Sequence, residues 1–240
     1  MTRRSALLLG FAVIAAAVCV RLGAWQLDRL AQRRARNATV VARLREPEVT
    51  PDAVPRDTAV ARYRRVRVAG RADYAHEIVL ASRTRDGSPG VNIVTPLRVA
   101  GRDTAVLVNR GWVYSPNGAD VDLARWREAD SLDVTGFVEI PSRRGGVSRL
   151  PSNPRAYRWL DAARLARDVG YPVTAWYVTV TLPAGAVQDS VTPARLAPPP
   201  LDEGPHLSYA LQWFSFAVIS IVGVVIFLRA ERRDARGAAR

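Results

Sequence analysis

Two histidines and one cysteine are the side chains of this 240-residue sequence best suited to metal or nucleophilic chemistry. His76 and His206 are about 130 residues apart, and Cys19 stands alone inside an apolar run. A single cysteine excludes an intramolecular disulfide and a thiolate metal cluster. The sequence contains no GxSxG, P-loop, GxGxxG, HExxH or EF-hand pattern, so it offers no recognisable hydrolase or transferase site. We therefore expect a protein that is not an enzyme.

The two histidines differ in their surroundings. His76 precedes a predicted strand, and Ser82 and Asp86 nearby are ordinary turn residues, so a solvated position at a strand edge is the natural interpretation. His206 is instead the last polar residue before an apolar run at 207–228. On a helix it shares one face with further residues at steps of three, four or seven, namely Tyr209, Ala210, Trp213, Ala217 and Ser220.

The His206 face has two interpretations. Imidazole is a standard axial ligand of haem iron, and Tyr209 and Trp213 could pack against a macrocycle bound by it. Ionisable groups at a membrane boundary are costly, which makes such a histidine a functional candidate. Alternatively, Tyr209 and Trp213 form an interfacial aromatic belt at headgroup depth and His206 is merely exposed. The chemistry of these residues leaves both interpretations open.

Two apolar segments must position this face. Residues 207–228 carry no charge over 22 positions, a length of about 33 Å that spans the hydrocarbon core; with His206 at its mouth we predict a transmembrane segment over 206–228. Residues 5–27 follow Arg3 and Arg4, a layout shared with signal peptides. No convincing cleavage site follows, the apolar pattern continues, and Trp25 suits an interface. We predict an uncleaved transmembrane helix over 5–27.

The arginines around the two segments give conflicting orientations. A compact cluster follows the second segment in 229–240, which places that tail in the cytoplasm. Residues 1–4 carry two arginines, but more arginines follow the first segment, which implies the reverse. Two spans put both termini on one side, and a long domain is translocated largely regardless of its charge. We therefore predict cytoplasmic tails at 1–4 and 229–240.

The region between the segments, 28–205, is predicted to form one extracytoplasmic β-rich domain. Helical spacing continues to about Leu44 and ends in a proline-rich linker. Alternating or apolar runs then predict six strands, and one short helix is predicted over 159–169; the strands are expected from Tyr63 and at 77–82, 91–99, 104–109, 132–140 and 174–182. Val106 and Val108 should be buried in a central strand. Hairpin-length connections favour an antiparallel sheet or small barrel, so the fold class is an α+β membrane protein.

The net charge of +13 comes entirely from arginine, since the sequence has no lysine. Nucleic-acid surfaces normally mix the two cations, because a phosphate contact needs only positive charge. The basic residues also do not interleave with aromatics, as single-strand binding requires. We therefore expect no nucleic-acid partner.

Four stretches of the sequence carry a resemblance to a known family. They are GAWQLDR at 23–29, VRVAGR at 66–71 with EIVL at 77–80, GVNIVTPL at 90–97 leading to VLVNRGWV at 106–113, and HLSYALQWF at 206–214. In these motifs and their order the chain resembles the Surfeit locus protein one family, the membrane-bound assembly factors of haem-copper cytochrome oxidases. Gly204 stands where the family often has Asn.

The resemblance implies both a location and a role. It implies a multi-pass protein of the bacterial inner membrane whose central domain faces the periplasm. It also implies assistance in inserting haem a into subunit I of cytochrome c oxidase, with subunit I and haem a synthase as partners. Some bacterial members look to bind haem a, transiently, through the histidine that matches His206. A scaffold that binds oxidase subunits without haem is the alternative role, and an anchored envelope enzyme is a third.

Overall fold

Two long helices and an eight-stranded sheet make up the computed structural model, which describes residues 3–141, 148–183 and 185–237. The first helix, α1, runs from Arg3–Arg45, and the last, α4, from His206–Gly237. By length and composition both could cross a membrane. The helical continuation predicted to about Leu44 is confirmed, because α1 continues without a break through the arginine-rich stretch after residue 27.

The chain divides into two compact units, and the first, 1–39 with 201–240, is a pair of helices. Small residues line the contact between them. Ala210, Ala217 and Val224 are buried on α4 at a spacing of seven, and Ala12 and Ala16 are buried on α1. Small residues are common where helices pack against each other in a bilayer.

Both ends of this helix pair carry a specific contact. At one end the Ser5 hydroxyl donates to the Glu231 carboxylate at 2.6 Å. Towards the other end Gly23 faces Phe214, and a Cβ at Gly23 would lie 2.6 Å from the Phe214 ring. Because residues early in α1 meet residues late in α4, the two helices are antiparallel.

The second unit, 40–200, is built on one mixed sheet. Its strands are β1 (Arg65–Ala72), β2 (Ile78–Arg85), β3 (Ser88–Arg98), β4 (Ala105–Tyr114), β5 (Ser131–Glu139), β6 (Arg149–Leu150), β7 (Asn153–Tyr157) and β8 (Val173–Val180). Their order is β1-β5-β8-β4-β3-β2-β7-β6, with β1 also paired to β3. That extra pairing joins β1, β5, β8, β4 and β3 into a closed ring, the small barrel that the sequence allowed.

The predicted α+β class and antiparallel-rich sheet are confirmed, with two differences. The β4–β8 and β2–β7 pairs are parallel, so the sheet is mixed rather than purely antiparallel. The strands β6 and β7 were not predicted; β7 contains Pro154, which interrupts a strand pattern because it lacks an N–H. Asp86 and Gly87 have φ of 49° and 78° and form the turn between β2 and β3.

The short helices fill the connections of the sheet. Besides α2 (Thr58–Ala61), the domain has α3 (Ala162–Val169), which replaces the longer helix predicted over 159–169. It starts later because Asp161 caps it: the carboxylate accepts from the Arg164 N–H at 3.1 Å. Gly170, with φ of 78°, ends it.

The strand β4 is central, as predicted. Val106 and Val108 are fully buried in one apolar cluster with Val66, and Leu107 faces a second cluster with Leu165. A strand that packs on both faces reads as a continuous apolar run, which is why Thr104–Asn109 could be identified from sequence.

A β-bulge in β4 turns Arg110 into the interior. Ile93 pairs with Gly111 and Val94 with Asn109, so Arg110 is an extra residue without a partner on β3. Bulges commonly redirect a side chain in this way. The Arg110 side chain is completely buried.

One fully buried carboxylate, that of Glu77, and one partly buried carboxylate, that of Glu128, hold this guanidinium. Arg110 donates to Glu77 and, at 2.8 Å, to Glu128; it also donates to the Thr95 hydroxyl at 2.8 Å. Burial raises the pKa of Glu77 although the Arg110 charge opposes the shift. The network thus satisfies a charge that would otherwise be prohibitively costly to bury.

Residues 185–200, here called the return segment, lie against the same bulge. Trp112 N–H donates to Ala194 O at 2.8 Å, and Ala194 N–H donates back to Trp112 O at 2.8 Å. Arg195 adds a salt bridge to Glu128 at 2.6 Å. The bulge, the ion network and the return segment therefore form one connected structure.

Candidate functional site

The candidate site lies at the start of α4, where backbone conformation brings the helix to an abrupt beginning. Gly204 adopts φ of 68°, in the left-handed region that favours glycine. Pro205 follows, and its carbonyl accepts from the Tyr209 N–H at 3.1 Å, which closes the first turn. Proline suits this position because its φ is fixed near the helical value. The first backbone N–H groups of a helix have no partner within the helix, so the N–H that proline lacks is not missed. His206 is consequently the first residue of the helix.

The imidazole of His206 is half-buried and contacts α1. Its Nδ1 lies 2.8 Å from Oε1 of Gln26. Gln26 falls on the same side of α1 as the buried residues Gly23 and Leu30, at steps of three and four. It is therefore a polar member of the stripe that α1 presents to α4.

The loop before α4 is tied to α1 by a charged brace. Arg33 donates to the carbonyl and carboxylate of Asp202, both at 3.0 Å. Arg34 donates two hydrogen bonds of 2.8 Å to the Glu203 carboxylate. The Asn37 amide donates to the carbonyls of Leu201 and Asp202 at 2.9 and 3.1 Å. Three successive loop residues are thus fixed just ahead of Gly204.

Of the two predicted aromatic residues, only Trp213 is partly enclosed. It is half-buried and meets Phe216 edge to face, with centroids 5.9 Å apart. Tyr209 is 46% exposed. The predicted trio therefore has a histidine and an indole against the helix pair and a phenol ring open to the surroundings.

The second histidine has different neighbours. His76 ends a 3-10 turn before β2, and its Nδ1 lies 2.8 Å from the Asp73 carboxylate. Asp73 also accepts a hydrogen bond from the Tyr171 hydroxyl at 2.5 Å, and the rings of His76 and Tyr171 meet edge to face. The His76 side chain is 42% exposed, which agrees with the predicted solvated position beside a strand.

Sequence reasoning missed Gln26 and the charged brace. Gln26 could have been noticed as an uncharged polar residue near the end of an apolar run, on the face that carries Gly23. The brace pairs residues about 169 positions apart, and no local pattern identifies such partners.

Comparison with known proteins gives a consistent family. The profile of the SURF1 family matches residues 13–218. A SURF1-like protein of Rickettsia felis is 27% identical over 88% of this chain and 92% of its own length. A SURF1-like protein of Monosiga brevicollis is 27% identical over 90% and 85%, and an uncharacterized SURF1-like protein of Mycobacterium bovis is 26% identical over 90% and 82%. The chain therefore belongs to the SURF1 family, which is associated with the assembly of cytochrome oxidase.

Proposed function

We propose that this protein is a membrane-anchored assembly factor of a haem-copper cytochrome oxidase that presents haem a for insertion into subunit I. Its role is to hold and hand over the group, without catalytic turnover. Subunit I and haem a synthase are the proposed partners. The observation that carries the proposal is His206, the first residue of α4, whose Nδ1 is engaged by Gln26.

The residues around His206 suit a haem. An imidazole engaged at Nδ1 keeps Nε2 available for iron. Exposed apolar side chains at the same level of the helix pair, Trp25, Leu207 and Tyr209, could cover a porphyrin face. Arg29, stacked 5.4 Å from the Trp25 ring centroid, offers a cation for a propionate. When bound, haem would supply the iron and the macrocycle that the oxidase requires.

The two helices support membrane anchoring through their outward apolar faces. Only 17% of the most apolar 18-residue window of α1 and 11% of that of α4 is buried. Leu7 and Phe11 on α1 are each 72% exposed, and Ile219 on α4 is 63% exposed. A helix in the core of a soluble protein would bury these residues, whereas lipid covers them at no cost. We propose transmembrane segments over 5–27 and 206–228 in the bacterial inner membrane.

The orientation has a direct test. Because the arginines of 229–240 favour the cytoplasm, alkaline phosphatase fused at Pro151 should be active in a bacterial host, and fused after Arg240 it should be inactive. Activity of the C-terminal fusion with an inactive fusion at Pro151 would reverse the proposed topology and place the domain in the cytoplasm.

The haem assignment is tested by His206→Ala. The full-length protein, purified from a strain that makes haem a, should carry a Soret band that the variant loses while its level in the membrane is unchanged. His76→Ala is the matched control, because it removes the other imidazole and should leave the band intact.

Two outcomes would contradict the haem role. A His206→Ala protein with an unaltered spectrum and full haem content would show that His206 is not the ligand. A wild-type protein that co-purifies with subunit I but carries no haem would instead favour a scaffold that binds oxidase subunits alone.

A further inference from the structure

Gln26 makes a specific contact with the imidazole that is proposed to bind the haem iron. Its side-chain oxygen is 2.8 Å from Nδ1 of His206, and both residues are half-buried between α1 and α4. A side-chain amide oxygen can only accept a hydrogen bond, so the facing Nδ1 must carry the proton. In a neutral imidazole the other nitrogen, Nε2, then holds the free lone pair.

Gly204 places no side chain next to Nε2 of His206. A Cβ added at Gly204 would lie 3.4 Å from Cδ2 and 3.5 Å from Nε2 of His206. Those distances are ordinary van der Waals contact, so any side chain at Gly204 would stand directly against the edge of the ring that carries the lone pair. The absence of a side chain at Gly204 removes one possible obstacle to a ligand at that edge.

One helix, α1, supports both partners of this contact. Gln26 belongs to an uninterrupted helix, and the next polar turns of α1 hold the loop before His206 through Arg33, Arg34 and Asn37. Those bonds fix residues 201–203, and the Gly204–Pro205 conformation then sets where the imidazole stands. Groups that orient a metal-binding histidine strengthen metal binding, because they fix its tautomer and raise its basicity.

We propose that Gln26 is a positioning residue of the haem site, which holds His206 in the Nδ1–H tautomer so that Nε2 faces the iron. The inference rests on the proposed haem role, but the tautomer itself exists without haem and can be measured separately.

The first experiment uses the haem-free full chain in detergent micelles. The protein has two histidines, so imidazole ¹⁵N labelling gives two ring systems, and His76→Ala leaves only His206. At about pH 8.5, where free imidazole is neutral, His206 should show a protonated Nδ1 and a bare Nε2. In Gln26→Leu the ring should become a mixture in which the Nε2–H form is prominent. A wild-type ring protonated mainly at Nε2 would overturn the proposal.

The second experiment measures haem binding by the same variants. Loss of such an outer hydrogen bond typically weakens metal binding about 10- to 100-fold, so Gln26→Leu should bind added haem a that much more weakly while still showing an imidazole-ligated spectrum. Gln26→Glu places a stronger hydrogen-bond acceptor on Nδ1. It should bind haem a more tightly than Gln26→Leu does and give the bound haem a more negative midpoint potential. Gln212→Leu, the same change at an exposed glutamine of α4, is the control and should match the wild type.

The outcomes separate the two proposals. If His206→Ala keeps its haem, the ligand assignment fails, whatever the tautomer measurement shows. If His206→Ala loses haem but Gln26→Leu binds with wild-type affinity and potential, haem binding stands and the role of Gln26 is refuted. If Gln26→Glu binds haem a as weakly as Gln26→Leu does, the residue acts through packing alone.

Discussion

Arg110→Met is expected to lower the free energy of unfolding by about 3 to 5 kcal/mol, the usual cost of removing one partner from a buried ion pair. Arg110 is completely buried and shared by Glu77, also completely buried, and Glu128. Without the guanidinium, Glu77 keeps only the Thr95 hydroxyl as a polar partner of the same oxygen. The variant therefore leaves an uncompensated carboxylate in the barrel wall, or forces it to take up a proton.

Urea titration of the full chain in detergent, read by pulse proteolysis, measures this loss. Arg67→Met is the matched control: its pair with Asp133 is 64% and 50% exposed, so solvent screens it and its loss should have little effect on the free energy of unfolding. Combining Arg110→Met with Glu77→Gln should recover part of the loss, because the second change removes the stranded charge. If Arg110→Met and Arg67→Met unfold alike, the buried network contributes nothing beyond a surface pair.

Gly111→Ala should detach the return segment from the sheet and destabilise the domain by at least about 2 kcal/mol. Gly111 has φ of 142°, a conformation that side chains rarely adopt and that typically costs about 1 to 3 kcal/mol. Its added Cβ would also lie 2.4 Å from the Ala194 carbonyl oxygen. Backbone atoms cannot rotate away, so the reciprocal bonds between Trp112 and Ala194 must break.

Limited proteolysis within 185–200 together with the urea titration reports both effects. Gly101→Ala separates them, because Gly101 also has a positive φ, of 75°, but its Cβ would meet no atom within 4 Å. We expect Gly101→Ala to lower the free energy of unfolding only by the cost of its backbone conformation. Cleavage within 185–200 should be unchanged in this variant. Equal cleavage in the two variants would show that the return segment does not depend on the close approach at Gly111.

The helices and the central strand could be predicted because their signals are local. An uncharged run of 22 residues can be recognised from composition alone, and Thr104–Asn109 is apolar on both faces because both faces of β4 are packed. The helix that was predicted from residue 159 begins at Ala162 instead, because the Asp161 carboxylate caps its first turn.

The sheet order was out of reach because its pairings are remote. The parallel partners of β4 and β2 are β8 and β7. No local pattern in a single sequence identifies strand partners that are so far apart in the chain. The bulge at Arg110 was equally hidden: the run through Val108 and Val113 reads as one regular strand, and only the register against β3 shows the extra residue.

The candidate site was predicted in part. His206 stands out because it is polar, ionisable and adjacent to an apolar run, and the helical period correctly places Ala210 and Ala217 on a packed face. Its partner Gln26 lies 180 positions away, and nothing local marks it as a hydrogen-bond acceptor. The haem ligand role of His206 remains a prediction for the spectra proposed above.

The ion network around Arg110 also governs when the domain can finish folding. Its members at residues 77, 110, 128 and 195 come from four separate stretches of the chain, and Arg195 belongs to the return segment, after the last strand. A nascent chain that ends at β8 therefore contains every strand but cannot form the salt bridge between Arg195 and Glu128. Contacts between such distant segments form slowly, and partly folded sheets expose open edges meanwhile. The bridge between Arg195 and Glu128 therefore closes only after the last strand has been made, so that folding of the domain is completed by the return segment.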